Sequence, residues 1–323
     1  MRAGVSKINP NPFTTRPEIE GTFGVVTTTH WIATAVGMAT LEKGGNAFDA
    51  AVATAFVLQV VEPHLNGPGG DVPVILHDAK RGKPEVICGQ GPAPAAATIK
   101  RFTELGLDIV PGTGLLAACV PGMFDTWMLL LRDYGTMRPS DVLTPAISYA
   151  RNGHPIVERA SATIAAVEDL FREHWPTSAA VYLPDGNVPP PGSMFANRTL
   201  ADTYERILHE AAAAGGDRVK QIERARQIWS QGFVAEAIER FCRTRKVMDV
   251  TGAPHERTTN SGGFGDCLHP AVPVRPRLAG AGIRDTEIDV EMHAHGGRCC
   301  GSLIATRRTT SPKFLPVGGI GGA

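Results

Sequence analysis

Between Trp31 and Lys43 the apolar residues Ile32, Ala35, Val36 and Ala39 recur at helical spacing and predict a helix. Gly44-Gly45 closes it, because glycine accepts the left-handed conformation of a helix C-terminal cap. Asn46 then caps a second helix, Ala47 to Val61, that is apolar on nearly every side. Only Asp49, Thr54 and Gln59 interrupt it, so this helix is expected to lie buried between layers, and Pro63 stops it. Before the pair, Gly24 to Thr29 is short and β-branched and reads as a strand. After it, Val72 to His77 and Glu85 to Cys88 read as adjacent strands joined by the turn Arg81-Gly82-Lys83-Pro84. Buried helices followed by paired strands imply helix layers on a sheet, an α+β architecture.

The pattern continues with helices. Met123 to Asp133 carries the stripe Phe124, Trp127, Met128 and Leu131, and Pro139 to Ala150 follows, begun by Ser140 or Asp141. Glu158 to His174 and Leu200 to Ala214 are two more, and Gln221 to Arg243 is broken at Gly232 before the amphipathic run Ala235 to Cys242. Pro184 to Pro191 reads as a surface loop. Past residue 254 Gly, Arg, Pro, His and Cys crowd together and no period is sustained, with Ile283 to Met292 the best strand candidate. Three regions follow: a flexible N-terminus at 1–20, a main body at 21–252, and a divergent tail at 253–323 expected to be poorly ordered. An abrupt enrichment of this kind is what an out-of-frame reading of a G+C-rich gene would produce.

Charge removes several function classes. The 32 basic side chains balance 32 acidic ones, so no net field gathers nucleic acid or an anionic membrane. Met1 to Glu20 holds Pro10, Pro12 and Pro17 and no apolar segment, so no secretory leader is expected there, and no apolar run is long enough to cross a bilayer. The expected location is the cytoplasm. Cys88, Cys119, Cys242, Cys267, Cys299 and Cys300 show no framework spacing, so disulfides are not expected.

Six segments, in order, resemble the γ-glutamyltranspeptidase family. They are Gly37 to Ala53 (GMATLEKGGNAFDAAVA), Glu62 to Asp71 (EPHLNGPGGD), Pro92-Ala93-Pro94, Val120-Pro121-Gly122, Tyr134 to Gly153 (YGTMRPSDVLTPAISYARNG), and Trp229 to Ile238 (WSQGFVAEAI). The resemblance covers about Gly24 to Gly252, the region corresponding to the family's large subunit. It implies an N-terminal-nucleophile hydrolase fold, a four-layer αββα sandwich cut from one precursor, of which only the large-subunit half is present. It also implies acyl transfer: a threonine at the small subunit's new N-terminus attacks a γ-glutamyl amide, with its own α-amine as base. Backbone N–H donors of a small-subunit Gly-Gly pair then stabilise the oxyanion.

No credible match to that nucleophile segment is expected in this sequence, so no catalytic residue is assigned. Thr28-Thr29-His30 imitates the nucleophile's context, but it leads straight into the helix–Gly-Gly–helix segment and is assigned to the first strand. Thr309-Thr310-Ser311 is another imitation, without a following His. The resemblance places Gln90 where the family's large subunit holds an arginine that grips the substrate's α-carboxylate. A neutral amide there implies altered acyl specificity, or else a side chain that merely satisfies loop backbone. The resemblance also implies that Asn66, Gly67, Gly69 and Gly70 are the pocket loop. No Lys-Ser/Thr follows them, so phosphate binding is set aside and the glycines are read as allowing close packing behind the pocket.

Cys267, His269, His293, His295, Cys299 and Cys300 are metal-capable, but the adjacent Cys299-Cys300 pair does not fit tetrahedral zinc spacing, and no metal or cofactor is expected. The partners implied are a γ-glutamyl or related acyl-amide small molecule and a separately encoded small subunit; the chain alone is expected to be inactive. The alternative is a non-catalytic remnant or binding module that keeps half of the acyl pocket. A half-enzyme also implies apolar sheet edges and faces left open for the missing strands.

Overall fold

The computed structural model describes residues 19–94 and 96–256, and the backbone of 304–307. The tail's metal-capable residues, Ile283 to Met292 and Thr309-Thr310-Ser311 lie outside the described residues.

The helix pair predicted from apolar spacing is the centre of the molecule. Helix α1 (Trp31–Glu42) runs into Gly44, whose φ of +94° makes the left-handed turn, and α2 (Ala47–Val61) starts from a capping box of Asn46 and Asp49. Almost all of α2 is buried, as its all-round apolar surface requires. It is enclosed by α1, α4 (Met123–Tyr134) and α5 (Pro139–Asn152), with α9 (Arg198–Ala213) and α10 (Arg218–Gln231) completing the helical body. α11 (Phe233–Thr244) follows α10 across the break at Gly232. Gly37 lets α1 lie close against α2 and β1, since a Cβ there would lie 2.3 Å from the Thr54 hydroxyl and 2.7 Å from Val26.

Four aromatic rings fill the core where these helices meet. Phe56 meets Phe124 and Tyr204 edge-on, each at 5.6 Å, and Phe124 stacks on Trp229 at 4.5 Å. Each fully buried ring of this kind contributes about 2–3 kcal/mol of transfer free energy. The polar interruptions of α2 are all satisfied. Thr54 donates back to Ala50, Gln59 accepts from the buried Tyr204 hydroxyl and donates to the Met123 sulfur, and Asp49 holds the chain entering α5. The carbonyls at the end of α4 are held from a distance: the Arg218 guanidinium donates to Leu131, Arg132, Gly135 and Met137 at 2.8–3.4 Å.

The strands form four two-stranded antiparallel sheets among the described residues. The largest joins β2 (Val72–Asp78) to β3 (Lys83–Gly89), with Val74 opposite Ile87 and Ile75 opposite Val86. One face packs on α4 through Leu76; the other leaves Ile75 80% and Val86 44% exposed. β1 (Gly24–Thr27) pairs with β8 (Ile304–Arg307), a strand that the aperiodic tail did not predict.

β1 is shorter than Gly24 to Thr29, because the Thr28 hydroxyl donates to the His30 carbonyl at 2.7 Å and accepts from its N–H, a side-chain turn that ends the extended run. The single helix expected from Glu158 to His174 is two, α6 (Glu158–Ala166) and α7 (Glu168–Glu173), broken at Val167 with φ −120° and ψ 14°. Two short helices, α3 (Ile99–Glu104) and α8 (Pro176–Tyr182), bury no residue fully and so left no apolar stripe to read. Residues from β4 (His154–Pro155) through β5 (Met194–Phe195) carry their own small core of Ile156, Ala160, Ile164, Leu183 and Phe195. The pair β6 (Val247–Met248) and β7 (Pro254–His255) closes the described body.

Candidate functional site

Gln90 stands at the end of β3, exposed, with the Cys88 thiol 3.8 Å from its Oε1. The chain on either side of it is tightly held. Val120 N–H donates to the Pro92 carbonyl at 3.0 Å, and a Cβ on Gly91 would fall 1.4 Å from the Val120 carbonyl oxygen. Gly122 and Met123 donate to the Gly70 carbonyl at 3.3 and 3.1 Å, and a Cβ on Gly122 would meet the Gly89 carbonyl oxygen at 2.5 Å. The Gly-rich loop, the Pro-Gly turn before α4 and Gln90 are therefore one structural unit, although they come from three separate stretches of sequence.

Within that loop the expected role of the glycines is corrected. Among the described residues a Cβ on Gly67 or Gly69 would meet nothing within 4 Å, so neither admits a close backbone neighbour there. Gly70 alone is crowded, by Met123 at 3.2 Å. Asn66 donates its backbone N–H to Glu62 at 2.9 Å, while its side-chain Nδ2 is buried without a hydrogen-bond partner.

The structure adds a polar cluster that sequence reasoning missed. Glu62, the buried C-cap of α2, accepts a short hydrogen bond from the exposed Thr29 hydroxyl. His30 caps α1, its Nδ1 accepting from Ile32 N–H at 3.2 Å, while its Nε2 is buried with no partner. Both ring nitrogens of His64 are also buried and unpaired. His154 on β4 is 1% exposed and lies edge-on to Phe195 at 6.0 Å. Burial lowers the pKa of His30 to about 4, helped by repulsion from His154 and His64. Burial likewise lowers His154 to about 4, against a weak opposing pull from the Tyr149 carbonyl. His64 is lowered by burial and then by the Arg159 charge, whereas burial raises Glu62 against the pull of Thr29 and Arg159. In the sequence Thr29-His30 stands out only as an imitation of the nucleophile's context, and Glu62 and His64 only within the EPH of the Gly-rich segment; His154 and Arg159 come from other elements.

A further carboxylate is buried on the turn after β6. Asp249 accepts from the Thr251 N–H at 2.9 Å and pairs with His255 Nδ1 at 2.7 Å. Burial pushes its carboxyl up, but these hydrogen bonds outweigh it and hold the group below the usual range. Among the described residues no group of three or more His, Cys, Asp and Glu is arranged to hold a metal ion.

Residues 33–244 match the family model described as Gamma-glutamyltranspeptidase. This chain belongs to that family. Among curated relatives it is 35% identical over 206 residues to the glutathione hydrolase-like YwrD proenzyme of Bacillus subtilis, which covers 62% of this chain and 38% of that one. It is 34% identical to the oxamate amidohydrolase proenzyme of Klebsiella pneumoniae, covering 58% and 36%. The chain thus spans well under half the length of these relatives. Among solved structures, LmbA2991HD superposes with a TM-score of 0.74 at 54% identity, covering 79% of this chain and 43% of the other. The Helicobacter pylori gamma-glutamyltranspeptidase superposes with a TM-score of 0.61 at 30% identity, covering 69% and 61%. The fold is accordingly that of the N-terminal-nucleophile transpeptidases and acylases, represented by their large-subunit region.

Proposed function

We propose that this chain forms the large-subunit wall of an acyl-transfer site that cleaves a γ-glutamyl or related amide and passes the acyl group to water or an amine. The observation that carries this reading is the family match over 33–244 together with a superposition on transpeptidase structures over most of the chain. The nucleophilic threonine and the oxyanion donors belong to a small-subunit segment that docks on this wall. Thr29, the exposed hydroxyl with a carboxylate partner, is tied into the turn that ends β1 and serves structure.

In this scheme the unit of Gln90, the Asn66–Gly70 loop and Val120–Gly122 borders the acyl group. Gln90 offers a neutral amide, and the relatives matched at similar identity include an oxamate amidohydrolase and an acylase as well as glutathione hydrolases. Both features favour an acyl donor other than free γ-glutamyl. The test is to co-express the chain with a candidate small subunit and assay γ-glutamyl and glutaryl anilides. Turnover that appears only with the second segment supports the reading. Robust turnover by the purified polypeptide alone overturns it.

A further inference from the structure

Between Pro92 and Val120 the chain makes a long excursion whose two ends meet. Val120 N–H donates to the Pro92 carbonyl at 3.0 Å, and Gly91 and Gly122 have no Cβ where the two ends lie against each other. This neck stands beside Gln90, whose carbonyl carbon a Cβ on Gly122 would approach to 3.2 Å. The body of the excursion has little core of its own. Of the described residues 96–119 only Pro111 and Leu116 are buried, and Ile99 and Ile109 remain 88% and 79% exposed. A segment that buries so little apolar surface opens readily unless specific contacts hold it.

The β6–β7 hairpin supplies those contacts. Val250 N–H donates to the Thr113 hydroxyl at 3.0 Å. Gly114, at φ +80°, lies so near the hairpin that a Cβ on it would stand 2.7 Å from the Asp249 Cβ. A weaker, exposed ion pair joins Arg101 of α3 to Glu256 at 3.7 Å. The hairpin is anchored in turn by the Trp175 indole, which donates to the Met248 carbonyl at 2.9 Å.

Asp249 gives this turn its shape. Its side chain is fully buried. Oδ1 accepts the Thr251 N–H at 2.9 Å and the Thr251 hydroxyl at 2.5 Å, and Oδ2 pairs with His255 Nδ1 at 2.7 Å. The Asp249 carbonyl accepts from Gly252 N–H at 3.1 Å. Val250 lies between Asp249 and Thr251, so the carboxylate that folds the turn also aims the Val250 N–H at Thr113.

We infer that Asp249, oriented by His255, is a positioning residue: through Thr113 and Gly114 it holds the 96–119 excursion and thereby sets the Val120 neck beside Gln90. The geometry stands apart from the acyl-transfer reading; only the consequence for turnover rests on it.

Hydrogen exchange on the full chain tests it. Thr113→Val removes the acceptor for Val250 without touching Asp249, and the Val120 and Gly122 amides should lose about tenfold in protection while those of α2 keep theirs. Asp249→Ala should loosen the same amides, and Asp249→Asn, which keeps an acceptor for Thr251, should restore part of the loss. If Asp249→Ala does not fold, Thr113→Val decides alone. An unmoved neck, or a loss shared with α2 in Thr113→Val, overturns the inference. In the enzyme assembled with a small subunit, Thr113→Val should raise KM for glutaryl anilide about fivefold at unchanged kcat. An unchanged KM beside a loosened neck overturns the positioning of the acyl pocket. A parent assembly without turnover counts against the acyl-transfer reading and leaves exchange to decide the inference.

Discussion

Asp49 holds Thr136 twice, accepting its backbone N–H on Oδ1 at 2.8 Å and its hydroxyl on Oδ2 at 2.7 Å. The same fully buried carboxylate accepts from Met137 N–H and from the Asn46 N–H of its own capping box. One side chain thereby starts α2 and fixes the chain entering α5. Asp49→Ala strands several buried donors and should cost about 3 kcal/mol or more in urea unfolding. Asp49→Asn keeps one acceptor and should cost less.

Gly91 and Gly67 should answer oppositely to the same change. Gly91→Ala drives a methyl into the Val120 carbonyl and must displace the backbone beside Gln90, so a loss of about 2–3 kcal/mol is expected. Gly67→Ala projects into open space, and thermal melting should stay within about 0.5 kcal/mol of the parent. Equal losses at the two positions would contradict the crowding at one and the emptiness at the other.

Gln90 is exposed and makes only a weak thiol contact, so its replacement should leave the fold intact. In the enzyme assembled with a small subunit, Gln90→Arg introduces a bidentate fork for a carboxylate. Selectivity for γ-glutamyl over glutaryl anilide should rise by about tenfold. An unchanged ratio of kcat/KM values would remove Gln90 from acyl recognition.

The outer face of the β2–β3 hairpin presents Ile75 and Val86 as a cross-strand apolar pair. Ile75→Lys should barely change stability, within about 0.5 kcal/mol, and should improve the solubility of the isolated chain. It should also weaken docking of a small-subunit segment in a pull-down. Docking at parental strength would show that this face is not the one covered.

Much of the helical body is legible in the sequence because its signals are local. Asn46 and Asp49 stand three apart before an apolar run, and Gly44 sits where a left-handed residue must end α1. Gly232 likewise marks the break between α10 and α11. What escapes lacks such signals. Val167 breaks a helix with neither Gly nor Pro, and α3 buries nothing that a period could reveal. Family resemblance points to the pocket-loop residues, yet close packing is the wrong reason for Gly67 and Gly69, because a glycine letter does not tell crowding from emptiness. The buried, unpaired ring nitrogens of His30, His64 and His154 and the Thr29–Glu62 hydrogen bond arise only in the folded chain and have no spacing to read.

Arg218 reaches four carbonyls at the end of α4 and in the turn beyond it, from a helix that begins far downstream. Until that guanidinium arrives, the Arg132, Gly135 and Met137 carbonyls lack the donor that meets them in the folded chain. Final closure of the turn between α4 and α5 is therefore a long-range step in folding, delayed until α10 has been made and has docked. A chain emerging from the ribosome would carry the α1–α2 pair early and leave this corner unlatched until about eighty residues later.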